Sequence, residues 1–478
     1  MRRAELATAR KAAGYTQESL AAALNVDRST VIRWEAGDYS PLPYLRPKLA
    51  RLLRQTPEQL RALIDGDAGS TPDTLSPDVE AACTWLDERL NWEPGTSARR
   101  VTARLPKTRR ELTTRQARRA RVSRSDVVAA LRAYYGTDPD YSLYTAHFGG
   151  QALETSILTR PDWLDLNIPL DETTDGLTLA PTASKPTAEP VPEAALERLA
   201  EVEAVGVRLT NEQTYRLLDV DIRDGLIRGT VDVTPFLEYA LTLDLLESEL
   251  LDALAAGKPI KPGSLPLRDR YLPSLASVVN PASRLCAGGV LALCAIARPA
   301  GQHGQADCLL LVQERSQLVV NAARQLTVIP KGFHQPMTDL HADASLRSTL
   351  LRELEEELFG RADLDNTVSA PRAALPMHLG RLSEPMKSLL SRNGFRLRCT
   401  GFGFNLVSGN YEFSCLAGID DDDFWSKFGG HIEANWEARG LRSFPSRYTE
   451  SLIRLALASM WNNEGLFTFS RGLSRLNS

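Results

Sequence analysis

The sequence predicts a multidomain chain with an all-α amino-terminal domain, a helical middle region and an α+β carboxyl-terminal domain. Three observations predict it. The 478 residues exceed what one hydrophobic core ordinarily holds. Over the first 65 residues, Leu, Ala and Val recur at helical spacing in short runs broken by turn signals. From Arg284 onward the pattern changes to apolar runs of strand length.

Residues 1–65 read as about five short helices. Residues 66–79, with "DGDAGSTPDTLSPD", read as a linker by composition. Residues 80–165 read as a basic helical region with Trp85, Leu86, Leu131, Tyr134 and Tyr135 as core. The Thr-, Pro- and Ala-rich stretch within 166–195 predicts a disordered linker. Residues 196–283 read as a second helical region, in which "PFLEYALTLDLLESELLDALAAG" repeats leucine every three or four places and stops at Gly257. In 284–478, "CAGGVLALCAIA", "DCLLLVQE", "QLTVIP", "FRLRCTGFGFNLVS" and "YEFSCLAGI" predict strands, with a turn at Ser408 to Asn410. Helices are expected over Leu346–Phe359 and Tyr448–Trp461.

Composition limits the function classes. No apolar run approaches the ~20 residues that cross a bilayer, and the start lacks the apolar core of a secretory signal, so the expected location is the cytoplasm, on the nucleoid. The six cysteines contain no C-x-x-C pair and read as reduced core residues. Arginine outnumbers lysine 47 to 9, which suggests a GC-rich bacterial genome. Net charge is only −4, but Arg99 to Arg124 holds eleven basic residues against one acid, Glu111. That excess suits either a polyanion partner or a solvated helical face.

In "TQESLAAALNVDRSTVIRWEAG", Thr16 can cap a helix whose Leu20, Ala21 and Leu24 face inward. Asn25 takes the tight turn, Asp27 can cap the next helix, and Val26, Val31 and Trp34 form its inner face. This spacing resembles the helix-turn-helix of the lambda-repressor and Cro-like (XRE) family, with Asn25 where that family usually has glycine. The resemblance implies that residues 27–35 enter the major groove of double-stranded DNA, with Arg28, Ser29 and Arg33 reaching base edges. It implies for Gln17 a phosphate contact or a bracing role, and for Arg10 and Glu35 a structural ion pair.

In "RELEEELFG", Glu353, Glu356 and Glu357 stand at i, i+3 and i+4, so on an α-helix three carboxylates share one face and could hold magnesium. With the preceding "LTVIPKGFHQP", the stretch resembles the Nudix box, which reads glycine, five residues, glutamate, seven residues, then R-E-U-x-E-E-x-G-U. Ala344 stands in place of the upstream glutamate, Thr338 in place of the first glycine and Phe359 in place of the last, and "MTDLHADA" lengthens the loop. The resemblance implies either a metal-dependent hydrolase of nucleoside diphosphate derivatives or a degenerate fold that binds a nucleotide-like effector. Arg315 and Lys331 are candidate phosphate partners, Phe333 a stacking surface, and Asn405 and Glu412 further lining. The plain alternative is a solvated acidic helix.

Together these readings predict a DNA-binding transcription regulator, acting as a homodimer, whose Nudix-like domain senses a nucleotide-like effector. A hydrolase tethered to DNA and an interaction scaffold are the alternatives. The box is too incomplete to predict an enzyme, and magnesium is the one cofactor it suggests.

Overall fold

A computed structural model describes residues 4–24, 26–36, 41, 45–55, 59–60, 63–64, 75–181, 188–300, 305–315, 325–359, 377, 382–391, 394–428, 438–447 and 449–476. They form two compact units, Met1–Thr74 and Leu75–Ser478.

In the first unit, α1 (Ala4–Ala12), α2 (Gln17–Leu24), α3 (Arg28–Ala36) and α4 (Arg46–Leu53) enclose one core. Leu6, Leu20, Ala21, Leu24, Val31, Trp34, Leu49 and Leu53 fill it. Helix α2 opens on a reciprocal cap: the Ser19 N–H donates to Thr16 Oγ1 at 3.0 Å, and the Thr16 N–H to Ser19 Oγ at 2.8 Å. Asn25 lies outside the described residues; its neighbour Val26 closes the turn by donating its N–H to the Ala21 carbonyl.

The second unit starts with α5 (Pro77–Arg89), α6 (Thr96–Arg119) and α7 (Arg124–Tyr135). The helical reading of 80–165 fails beyond Tyr135. Strands β1 (Ser142–Phe148) and β2 (Gln151–Thr159) form a hairpin whose turn, Gly149 and Gly150, has positive φ at both residues. The linker expected over 166–195 contains β3 (Ile168–Pro169), β4 (Asp175–Leu179) and the start of α8 (Pro192–Val205); residues 182–187 lie outside the described set. The helical reading of 196–283 misses β5 (Gln213–Arg223) and β6 (Leu226–Pro235), which turn at Asp224-Gly225, again with two positive φ values, before α9 (Leu245–Ala255). Strand β4 adds to β6 in parallel and completes a three-stranded sheet.

The main sheet joins segments from both sides of residue 284, so the carboxyl-terminal region does not close on itself. Its other strands are β7 (Gly288–Arg298), β8 (Asp307–Arg315), β9 (Leu326–Val328), β10 (Lys331–Phe333), β11 (Phe395–Asn405), β12 (Tyr411–Ile419) and β13 (Ala438–Pro445). The order is β1-β2-β11-β12-β7-β8-β13, with β3, β9 and β10 paired beside it. Most neighbours are antiparallel, but β12 and β7 run parallel. Strand β7 is buried on both faces. Val290, Ala292, Cys294 and Ile296 face a layer that includes α10 (Leu346–Glu353), while Leu291, Leu293 and Ala295 face α11 (Thr449–Ala456) and α12 (Asn463–Leu476). A strand covered twice reads as a continuous apolar run, as "GGVLALCAIA" does. Gly288 is required where β7 meets β12, because a Cβ there would lie 2.2 Å from the Tyr411 carbonyl oxygen.

A buried cation fastens the helices to this sheet. Arg268 is fully buried and donates to the carbonyls of Leu246, Leu406 and Val407 and to the Tyr135 hydroxyl. Replacing it removes these donors and strands buried carbonyls, which costs about 2–5 kcal/mol. Arg268→Met should therefore lower the unfolding free energy by that amount in urea titration; a loss below about 1 kcal/mol would contradict the assignment.

Candidate functional site

The first unit presents one helix face to solvent. Arg28, Ser29, Ile32 and Arg33 are exposed on α3, while Val31, Trp34 and Glu35 are buried on its other side. Isoleucine is unexpected in water, and Ile32 is 41% exposed.

The orientation of α3 is fixed from beneath. Arg10 Nε donates to Glu35 Oε1 at 2.6 Å, and another Arg10 nitrogen reaches the Tyr15 carbonyl at 2.8 Å. Gln17 Nε2 donates to Glu35 Oε2 at 2.7 Å. Burial alone would raise the Glu35 pKa, but hydrogen bonds from Arg10 and Gln17 hold it below the usual carboxylate range. The side chain of Gln17 thus braces α3 from α2. Arg28 forms an exposed ion pair with Glu18 at 3.2 Å, an interaction of the kind that contributes little to stability and is easily exchanged for another anion.

Residues 6–60 match a helix-turn-helix family model. The match supports DNA binding and transcription regulation, and it lies within the first unit. No curated protein matches the chain. No helix among the described residues is long and apolar enough to cross a membrane.

In the second unit the chain's own groups engage two of the carboxylates that the sequence placed on one face. Helix α10 ends at Glu353 and passes into a π turn over Leu354–Leu358, and both Glu353 and Glu357 reach β10, at Gly332 and Lys331. Glu353 accepts from Arg352 at 2.7 Å and packs on Gly332, where a Cβ would lie 2.0 Å from its Oε1. Glu357 accepts the Lys331 N–H at 2.8 Å, and Glu356 is partly exposed. Glu355, which the sequence did not single out, accepts from the Ser383 N–H and Oγ, both at 2.6 Å. Magnesium needs oxygens directed at a common point. Among the described residues no group of three or more His, Cys, Asp or Glu is placed to hold a metal.

The inserted loop is closed on itself. One oxygen of Asp343 accepts the N–H groups of Met337, Thr338 and Asp339 at 2.8, 2.9 and 3.0 Å. Backbone donors that could cradle a phosphate are already satisfied by the chain's own carboxylate. His334 is fully buried. Its Nε2 lies 2.9 Å from the Ala344 carbonyl, which can only accept, so Nδ1 must accept from the Tyr411 hydroxyl at 2.8 Å. Burial pushes its pKa down to about 3.

Three of the ligand candidates do meet. Lys331 Nζ pairs with Glu464 Oε1 at 2.7 Å, Asn405 Nδ2 donates to Glu464 Oε2 at 3.4 Å, and Glu412 lies in the same cluster. Burial and the charge of Glu464 raise the Glu412 pKa to about 8; burial, Asp244 and Glu464 raise that of Glu247 to about 7. Phe333 is engaged elsewhere, against Phe236 and Tyr239 at ring distances of 5.6 and 5.3 Å. Arg315 ends β8, and its side chain lies outside the described residues, as does all of 429–437 with "GGHIEANWE". Glu464 and Glu247 carry no local sequence signal, because only the tertiary fold brings them to Lys331.

The sign of the pH effect follows. Unfolded Glu412 ionises near 4.5, whereas the folded form keeps its proton to about 8, so its contribution to stability is lost as pH rises across that window. Glu412→Gln should gain stability relative to the parent between pH 4.5 and about 8, read as a rising difference in melting temperature. A difference that stays flat over that window would contradict the protonated state.

Proposed function

We propose that this chain is a sequence-specific transcription regulator that reads double-stranded DNA through α3. The observation that carries the reading is the pairing of an exposed Arg28, Ser29 and Arg33 face with a buried Arg10, Glu35 and Gln17 brace on the opposite side. Rigid support is what base readout needs, since an arginine gripping guanine gains ~1–3 kcal/mol only in the correct geometry. Ile32 gives the same face an apolar surface for a thymine methyl group. The reading includes a homodimer on half-sites about one helical turn apart, ~34 Å.

The second unit is the regulatory part of this proposal. A nucleotide-like effector is supported by Lys331 and Asn405 lying in one cluster. Glu464 already pairs with that lysine, so the cluster suits the nucleoside part of such an effector better than a phosphate. Hydrolysis has less support, because Glu353 and Glu357 are engaged in holding β10.

Operator selection from a random duplex pool, followed by affinity measurements, tests the DNA reading. Arg28→Ala with Arg33→Ala should cut the preference for the selected site over a scrambled one by at least about tenfold, while the first unit stays folded. Preference that survives both substitutions would refute it.

A further inference from the structure

Helix α6 carries most of the basic residues of 99–124, and apart from the exposed Arg109, which lies between them, the fold sorts them into two sets. At 3.6 residues per turn, Arg104, Arg115 and Arg119 fall on the side that also buries Ser97, Val101, Leu105 and Thr108. All three face acids of neighbouring helices. Arg104 pairs with Glu193, Arg115 with Glu197 and Glu201 at 2.9 and 2.7 Å, and Arg119 with Asp252 at 2.6 Å. These arginines hold α6 to α8 and α9.

The second set has no such acids. Arg99, Arg100, Lys107, Arg110 and Arg118 are exposed and fall within about 100° of arc on the opposite side. Arg121 extends the row into the turn that follows. Among the described residues none of the six has an ion pair with an acid. Glu111, the one acid in the segment, reaches toward Arg115 instead, at 3.8 Å. From Arg99 to Arg118 the row spans ~29 Å of helix. At its end Arg118, Arg121 and Lys258, with one acid, Asp126, line a cleft of about 520 Å³ floored by Ala129, Ala133 and Leu254.

We propose that this row is a second DNA-binding surface, which grips the phosphate backbone without reading sequence. The charge balance argues for it: a lone solvated helix ordinarily mixes signs, whereas here the acids of α8 and α9 are engaged by the inward set and Asp126, beside Arg118 and Arg121, is held by Ser123. Duplex DNA offers one negative charge per ~1.7 Å, so a basic face of this length can meet several phosphates. The proposal rests on the DNA-binding reading, because the first unit delivers the second to DNA through one continuous chain and raises its local concentration there.

The test uses the full chain and titrates its affinity for the selected duplex and a scrambled one against salt. In Arg99→Ala/Lys107→Ala/Arg110→Ala/Arg118→Ala the slope of log affinity on log salt should fall by about 0.9 for each phosphate that is no longer neutralised, and both duplexes should weaken by the same factor. Lysine at positions 99, 110 and 118, with Lys107 kept, should retain the slope. Arg223→Ala/Arg228→Ala/Lys261→Ala/Arg270→Ala makes the same charge change at exposed positions elsewhere and should leave it unchanged. An unchanged slope in the first variant overturns the proposal, and so does an equal fall in the control. Retention on phosphatidylserine vesicles that depends on the row, with the DNA slope unaltered, overturns it in favour of a membrane surface. Loss of sequence preference on Arg28→Ala/Arg33→Ala with the row-dependent slope intact separates the two surfaces. A parent protein that binds neither duplex overturns both readings.

Discussion

Strand β7 has no face in water, and the second unit is arranged around that constraint. Its even-numbered apolar residues need one helical layer and its odd-numbered ones another. Its backbone needs a partner on each side, which β12 and β8 supply. The close approach at Gly288 leaves no room for a side chain. Because three layers converge there, the polar groups that end up near β7's neighbours are deeply enclosed. That enclosure is why Glu412 holds its proton and His334 loses its own. The unusual ionisation states thus follow from packing, without any ligand to explain them.

The first unit solves a different problem at much smaller size. A domain of this length has little core to spare for rigidity. The buried pair of Arg10 and Glu35 is tolerated because Gln17 and the Tyr15 carbonyl complete the hydrogen bonding on both sides. A half-satisfied pair would be a liability, whereas this one fixes the helix that carries the exposed arginines.

The first unit was legible because its signals are local. Thr16, the apolar spacing of Leu20, Ala21 and Leu24, and the inner face of Val31 and Trp34 all act within one or two turns of chain. The strands of β7, β8, β11 and β12 were legible for the same reason, as was the turn at Gly409. The two missed hairpins also carried local signals. Gly149-Gly150 and Asp224-Gly225 are dipeptides suited to tight turns between twisted strands, and "YSLYTAHF" and "LIRGTVDVTP" have strand composition. Surrounding helical runs outweighed them. The helix type over the carboxylates was not legible: nothing in "RELEEELFG" announces the π turn at Leu354–Leu358. The cluster of Lys331 with Glu464 and Glu412 joins residues too far apart in sequence for any pattern to link them.

The loop at 337–344 has a further consequence. Its N–H groups are bound to Asp343, which travels with the loop, so its shape does not depend on what is dissolved around it. A segment that supplies its own anion has one resting shape whether phosphate is scarce or abundant. The loop therefore cannot report on phosphate.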